Sequence, residues 1–342
     1  MRTYRLILVG FGNVGQGFAQ ILREQAEELA AQGLQAVIVA VSDPLKGSVY
    51  RPEGFSPAEL LDTVQAGQSL ETLAAQAKGW DAKRTLAECE ADVLVELSYT
   101  DLKTGEPAVS HVRQALQRGM HAITSNKGPV ALHYPELAAL AAEKGLQFGI
   151  EGTVMSGTPS MRLGAELLGA AGVSKIQGII NGTTNYILSQ MEEGSSYQDA
   201  LADAQAQGYA EADPTGDVEG FDAAGKVVIL ANVLMGAKIS MADVERQGIT
   251  QLTSADIADA RAEKMRWKLI ASVEKTAEGV KASVKPTLIP ITHPLASVSG
   301  ATNAITYSTR LLGDVTLIGP GAGRLATGYA ILGDLLAIQR AA

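Results

Sequence analysis

One cysteine in 342 residues, Cys89, leaves no partner for an intrachain disulfide and no set of thiolates for a zinc site. Its neighbours Glu88 and Glu90 raise rather than lower a thiol pKa, which excludes Cys89 as a nucleophile. The four histidines, His111, His121, His133 and His293, show no metal-ligand spacing. Lysine and arginine nowhere cluster and the formal net charge is −9, so the electrostatic footprint of a nucleic-acid binder is missing. No run of about 20 apolar residues could span a bilayer. Residues 1–10 pass from Arg2 and Arg5 straight into a strand-like segment, without the apolar core and cleavage site of a signal peptide. These absences leave a soluble cytoplasmic protein that acts on small molecules, with neither nucleic acid nor membrane as partner.

What is present is apolar: 46% of residues are hydrophobic and only 19% charged, enough for burial to offset the entropy of ordering. The length fits two domains. Residues 4–9 (YRLILV) read as a buried parallel strand, residues 16–31 as a helix and residues 36–41 (AVIVAV) as a second buried strand. Turn signals around Gly47, Gly54 and Pro57 make residues 46–78 an excursion that leads back to the sheet. Strands are predicted at 91–97, 121–124 and 147–150, and helices at 107–118 and 135–144. This alternation predicts a doubly wound α/β domain over residues 1–150. Beyond it the strands become more polar, with a strand at 175–180, helices at 185–192 and 197–207, and a long helix at 221–235. These form a second, mixed α/β domain over residues 151–310, followed by a segment, 311–342, that holds a Gly-rich turn and a helix.

Gly10-Phe11-Gly12-Asn13-Val14-Gly15 sits between the first strand and the first helix with dinucleotide-binding spacing. Gly10 serves the tight turn, Gly12 the approach of backbone to pyrophosphate, and Gly15 the packing of helix on strand. The helix N-terminus offers free N–H groups to the phosphates. At the end of the second strand, Asp43 suits a ribose 2′-hydroxyl, whereas Lys46 and Arg51 suit a 2′-phosphate, so NAD and NADP both stay open. Thr100, Ser125 and Lys127 follow later strands, at the carboxyl ends where an open α/β sheet places its ligand crevice. There a lysine either holds a negative ligand or transfers a proton.

The densest polar stretch runs over residues 209–226. Glu211, Asp213, Asp217 and Glu219 lead to Asp222 and Lys226, an i, i+4 pair on one helix face. The helix continues as VVILANVLM, apolar nearly all round, which carries its first turn into a buried site. Asn181-Gly182-Thr183-Thr184-Asn185 precedes a helix and reads equally as a cap. Residues 151–158 read as a loop.

Taken in order, GFGNVG from Gly10, TDLKTGEPAVSHVRQALQRGMHAITSNKGPVA from Thr100, NGTTNYIL from Asn181 and YAEADPTGDVEGFDAAGKVVILA from Tyr209 resemble the homoserine dehydrogenases. So do GIT from Gly248, HPLASVSGATNAI from His293 and GPGAG from Gly319, and together these motifs span nearly the whole chain. The resemblance implies a Rossmann domain followed by a catalytic and dimerisation domain, in a homodimer. It implies reversible hydride transfer between NAD(P)H and the pair aspartate 4-semialdehyde and L-homoserine, on the route to threonine, methionine and isoleucine. By the same resemblance Lys226 is the catalytic acid and base, and Lys127 a second lysine between cofactor and substrate. Glu211 and Asp222 hold the substrate ammonium with Asp217 in support, Gly182 and Thr183 lie on the substrate side, and Gly323 returns to the cofactor. A sodium site would fall on Glu151, Val154, Ser156 and Thr158, where VMSGTP departs from the apolar-and-Gly version of many members. The motifs end close to the C-terminus, which implies a short form without an appended regulatory domain.

Two rival readings stand beside this one: a related two-domain oxidoreductase acting on another small hydroxy or aldehyde substrate, and a non-catalytic dinucleotide sensor. Aspartate semialdehyde dehydrogenase is disfavoured because its acyl chemistry needs an activated cysteine.

Overall fold

A computed structural model describes residues 1–342 and divides them into two compact units, Met1–Gly157 with Gly323–Ala342, and Thr158–Ala322. In the first unit the chain runs through β1 (Arg2–Val9), α1 (Asn13–Glu24), α2 (Ala26–Ala31), β2 (Leu34–Asp43), β3 (Gly47–Phe55) and α3 (Pro57–Gln65). It continues through β4 (Ala77–Lys78), α4 (Ala82–Glu88), β5 (Val93–Glu96), α5 (Ala108–Gln117), β6 (His121–Thr124), α6 (Lys127–Glu143) and β7 (Phe148–Gly149). The sheet order is β4-β3-β2-β1-β5-β6-β7. From β2 to β7 the pairings are parallel, so apolar strands are covered on both faces. Leu6 and Leu8 pack on one side with Phe18, Ile21 and residues of the C-terminal helix; Ile7 and Val9 pack on the other with Leu94, Val112 and Leu137.

Three details depart from the expected pattern. The excursion 46–78 supplies two antiparallel strands, β3 and β4, so strand and helix do not alternate there. The helix expected over 16–31 begins at Asn13 and breaks at Gln25, whose φ of −110° and ψ of 20° are not helical. The helix α6 begins at Lys127, eight residues before the expected Pro135, because the Asn126 side chain caps it by accepting from the Gly128 N–H at 2.9 Å.

The second unit holds α7 (Ser160–Arg162), β8 (Val173–Ile179), α8 (Gly182–Glu192), α9 (Tyr197–Ala206), α10 (Thr215–Val218) and α11 (Phe221–Ile229), the last continued by a π-helical turn over Leu230–Leu234. There follow β9 (Val244–Arg246), α12 (Ser254–Ala262), β10 (Met265–Thr276), β11 (Gly279–Pro290), β12 (Thr302–Thr309) and β13 (Gly313–Pro320), and then α13 (Arg324–Ala341) of the first unit. The sheet order is β13-β12-β8-β10-β11-β9, antiparallel except for β11 with β9. Of the segment 311–342, the strand β13 therefore lies in the second sheet, and Gly323–Ala342 in the first unit. No helix is long and apolar enough to cross a membrane.

Candidate functional site

In the first unit, Gly10 takes φ +96°, and a Cβ there would stand 2.5 Å from the Leu97 carbonyl oxygen. Only glycine makes this turn. A Cβ on Gly15 would meet the Gly10 carbonyl oxygen at 2.8 Å. Gly12 differs: it is exposed, and a Cβ would meet nothing within 4 Å. The space over Gly12 is thus open, and the N-terminus of α1 that follows has no side-chain cap. An open main-chain cradle at an uncapped helix N-terminus fits a dinucleotide pyrophosphate. Phe11 is buried below the loop and Asn13 is exposed above it. Val14 is half-buried against the core.

Asp43 ends β2 with only 8% of its surface exposed. One carboxylate oxygen accepts from the Phe11 N–H at 2.7 Å, and the other from the N–H groups of Leu45 and Lys46 at 2.8 Å each. Asp43 therefore braces the glycine loop, and one lone-pair direction remains for a ribose hydroxyl. Arg51 is committed elsewhere: its guanidinium pairs with Glu59 at 2.7 Å and donates to the Gly54 carbonyl, so it is not poised for a phosphate. Lys46 is half-buried.

At the carboxyl ends of β5 and β6 the side chains hold main chain. Glu96 is fully buried and accepts from Ser98 Oγ, with His111 Nδ1 at 3.3 Å. Thr124 Oγ1 donates to the Glu96 carbonyl and accepts from the Asn126 N–H. The Asn126 amide donates to the carbonyls of Ser98 (3.1 Å) and Tyr99 (2.8 Å), tying the two loops together just before Lys127. Ser125 lies against Gly152, where a Cβ would come 2.9 Å from its own, and Thr100 is exposed.

Glu151, Val154, Ser156 and Thr158 are all buried. The Glu151 N–H donates to Asp334, Ser156 Oγ meets Thr327 Oγ1 at 2.8 Å, and Thr158 Oγ1 donates to the Pro320 carbonyl. Ser156 takes φ +53°. The backbone hydrogen bonds of this segment run from Thr153 to Ile150 and from Ser160 to Thr158, leaving the carbonyls of Val154 and Ser156 outside them.

In the second unit, Lys226 is a buried lysine with 7% of its surface exposed. Its Nζ lies 2.7 Å from Asp222 Oδ2 and donates to the Ile180 carbonyl at 2.7 Å. The i, i+4 spacing thus produces the expected pair, and apolar neighbours along α11 carry it inward. An ammonium has three N–H groups, so one is left for a ligand. The Asn181 amide donates to Asp217 Oδ1 at 2.7 Å and to Asp222 Oδ2 at 3.1 Å, while its carbonyl caps α8 by accepting from the Thr184 N–H. Burial, reinforced by the charge of Asp222, holds the Asp217 carboxyl above its usual range against the opposing Asn181 hydrogen bond. Thr183 Oγ1 donates to the Tyr209 carbonyl, and a Cβ on Gly182 would stand 2.7 Å from the Ala301 carbonyl oxygen.

The structure therefore gathers Lys226, Asp222 and Asp217 around Asn181, which joins the two carboxylates as well as capping α8. Glu211 makes no hydrogen bond to this cluster: it is exposed, and its main-chain carbonyl accepts from Gln205. Cys89 is buried, and burial more than Glu88 pushes its thiol up to about 12. No group of three His, Cys, Asp or Glu side chains could hold a metal ion.

Two family models match: "Homoserine dehydrogenase, NAD binding domain" over residues 10–151 and "Homoserine dehydrogenase" over residues 159–336. A curated NAD(+)-dependent homoserine dehydrogenase of Pseudomonas canavaninivorans is 44% identical, over 100% of this chain and 98% of its own. The solved structure of an Archaeoglobus fulgidus protein described as a homoserine dehydrogenase is 38% identical with a TM-score of 0.87, covering 98% of this chain and 99% of that one. A hyperthermophilic archaeal homoserine dehydrogenase in complex with NADPH is 30% identical with a TM-score of 0.84, covering 99% and 98%.

Proposed function

The chain belongs to the homoserine dehydrogenase family of NAD(P)-dependent oxidoreductases, and from that premise we propose which of its residues carry the reaction. The observation that bears most weight is the buried Lys226, held between Asp222 and the Ile180 carbonyl with one N–H to spare. The dinucleotide, when bound, supplies or receives the hydride. As negative charge builds on the aldehyde oxygen of aspartate 4-semialdehyde, the remaining N–H of Lys226 stabilises it and donates the proton; in the reverse direction neutral Lys226 takes the proton from the homoserine hydroxyl. Asp222 balances the lysine charge and fixes its position, and Asn181 keeps Asp217 and Asp222 in register.

Glu211 and Asp222, with Asp217 in support, hold the substrate ammonium through charge-assisted hydrogen bonds. Gly182 and Thr183 open the helix on the substrate side. Lys127, capped in place by Asn126, serves the boundary of cofactor and substrate. Glu211→Leu chiefly raises KM for the amino-acid substrate, and an unchanged KM removes Glu211 from the ammonium site.

On the cofactor side Gly10, Phe11, Gly12, Asn13, Val14 and Gly15 cradle the pyrophosphate, and Thr100, Ser125, Lys127 and Gly323 complete the crevice. We read NAD as the preferred dinucleotide. Asp43 keeps an acceptor at the strand end and repels a 2′-phosphate, Arg51 is committed to Glu59, and the Pseudomonas canavaninivorans relative is NAD(+)-dependent. Lys46 favours NADP, and the hyperthermophilic archaeal relative is in complex with NADPH. Initial rates of homoserine oxidation with NAD and NADP decide: faster NADP turnover overturns the preference, and no turnover with either overturns the assignment of Lys226.

The carbonyls of Val154 and Ser156, free of the local backbone bonds, suit a monovalent cation held together with Glu151 and Thr158; replacing sodium by tetramethylammonium then lowers activity, and equal rates discard the site. A homodimer is the expected state, and a monomer mass by light scattering overturns it.

A further inference from the structure

One guanidinium nitrogen in the first unit is buried without a hydrogen-bond partner. It is the Nε of Arg324, the first residue of α13, which makes no ion pair. A desolvated, unsatisfied donor of this kind is costly unless something supplies the acceptor. Its position says what that acceptor is. A Cβ on Gly17 would strike the Arg324 carbonyl and stand 2.9 Å from its Cγ, and a Cβ on Gly328 would stand 2.6 Å from the Phe18 nitrogen. Two glycines thus let α1 and α13 lie backbone to backbone.

The helices run in the same sense. Gly17 and Phe18 meet Arg324 and Gly328 near the start of both, and Gln339 near the end of α13 donates to the Gln32 carbonyl beyond α2. Helical side chains lean toward their own N-terminus. Arg324 therefore leans toward the end where Gly12 and Asn13 lie exposed, about one helical turn from Gly17.

We propose that Arg324 is a further dinucleotide-binding residue, its guanidinium pairing with the pyrophosphate of the cofactor that α1 receives at Gly12. This rests on the placement of the pyrophosphate over Gly12, and the bound diphosphate supplies the acceptor the buried donor lacks. A planar guanidinium beside free main-chain N–H groups suits a diphosphate better than a hydroxyl or an amide. The sequence shows Arg324 only as the residue after a Gly-rich turn; its meeting with Gly17, more than 300 positions away, is a product of the fold.

The experiment measures dissociation constants for NADH, NADPH, ADP and adenosine by fluorescence and calorimetry on the full-length protein, its Arg324→Gln and Arg324→Lys variants, and Gly12→Ala as a control. Arg324→Gln weakens NADH and ADP about 10- to 100-fold, leaves adenosine unchanged and flattens the salt dependence of binding; Arg324→Lys lies in between. Unchanged ADP affinity in Arg324→Gln overturns the proposal, as does an equal loss for adenosine, which marks a structural role. Loss confined to NADPH moves the guanidinium to the 2′-phosphate and also overturns it. If Arg324→Gln does not fold, Arg324→Lys carries the test, and an ADP affinity equal to the parent's overturns the proposal because the guanidinium fork is gone. Gly12→Ala tests the placement of the pyrophosphate by itself: unaltered NADH affinity there rejects that reading whatever Arg324 does.

Discussion

The two units use polar side chains in opposite ways. In the first, Asp43, Thr124 and Asn126 bond almost wholly to main chain, and the ligand surface they shape is itself backbone: an open glycine and a helix N-terminus. In the second, Asn181, Asp217, Asp222 and Lys226 bond chiefly to one another and hold a buried charged side chain. A pyrophosphate looks alike in every dinucleotide enzyme and is well served by N–H groups that no substitution removes. Proton transfer needs a group that changes its charge, and only a side chain offers that. Substitution in the first unit is therefore felt through geometry and affinity, and in the second through rate.

The largest effect that could break this contrast is the loss of Lys226. Lys226→Met lowers kcat by about 10²- to 10⁴-fold with the dinucleotide dissociation constant unchanged; stopped-flow rates and NADH titration check both, and a preserved kcat would place the chemistry elsewhere. Next comes a pair of glycines a single residue apart. Gly10→Ala meets the Leu97 carbonyl at positive φ and loses roughly 2 kcal/mol or more of stability, whereas Gly12→Ala keeps the parent melting temperature and binds dinucleotide less tightly. Equal melting temperatures for the two would undo the distinction between structural and ligand-facing glycine.

Asp43→Asn turns an amide NH₂ toward N–H groups that now meet carboxylate oxygens, at a cost of about 1–3 kcal/mol in chemical denaturation. A smaller loss would show that the glycine loop stands without its brace. The finest effect concerns pH. Because the folded Asp217 carboxyl sits above its ordinary value of 3.8, its stabilising contribution is complete below that value and is lost as pH rises through the raised one. Asp217→Asn removes the loss, so melting temperature falls less as pH rises above 3.8; a slope equal to that of the parent would mean that Asp217 titrates normally.

Much of this was legible in the chain. Gly10 and Gly15 mark the turn because glycine alone tolerates the dihedral angle of the first and the close contacts of both, Gly12 leaves the space over the loop open, and the Asp222 to Lys226 spacing predicts their contact because a helix returns to one face every four residues. The Asn181 bridge was not legible, since a capping asparagine is chosen for its local bond and the same amide reaches Asp217 and Asp222 only after β8, α10 and α11 assemble. Nor were β3 and β4 read as antiparallel strands, or β10 to β13 as a sheet, because pairing partners are set by contacts distant in sequence rather than by local propensity.

The sequence by itself determined the family, the doubly wound half of the molecule, the glycine cradle and the lysine with its carboxylate, since each rests on spacing within a few residues. Only the tertiary structure decided that Asp43 braces a loop, that Arg51 is committed to Glu59, that Asn181 joins two acids and that Arg324 lies on α1. Those are pairings across long stretches of chain, and a side chain acquires its partner only when burial brings distant segments together and leaves each polar group to find what remains.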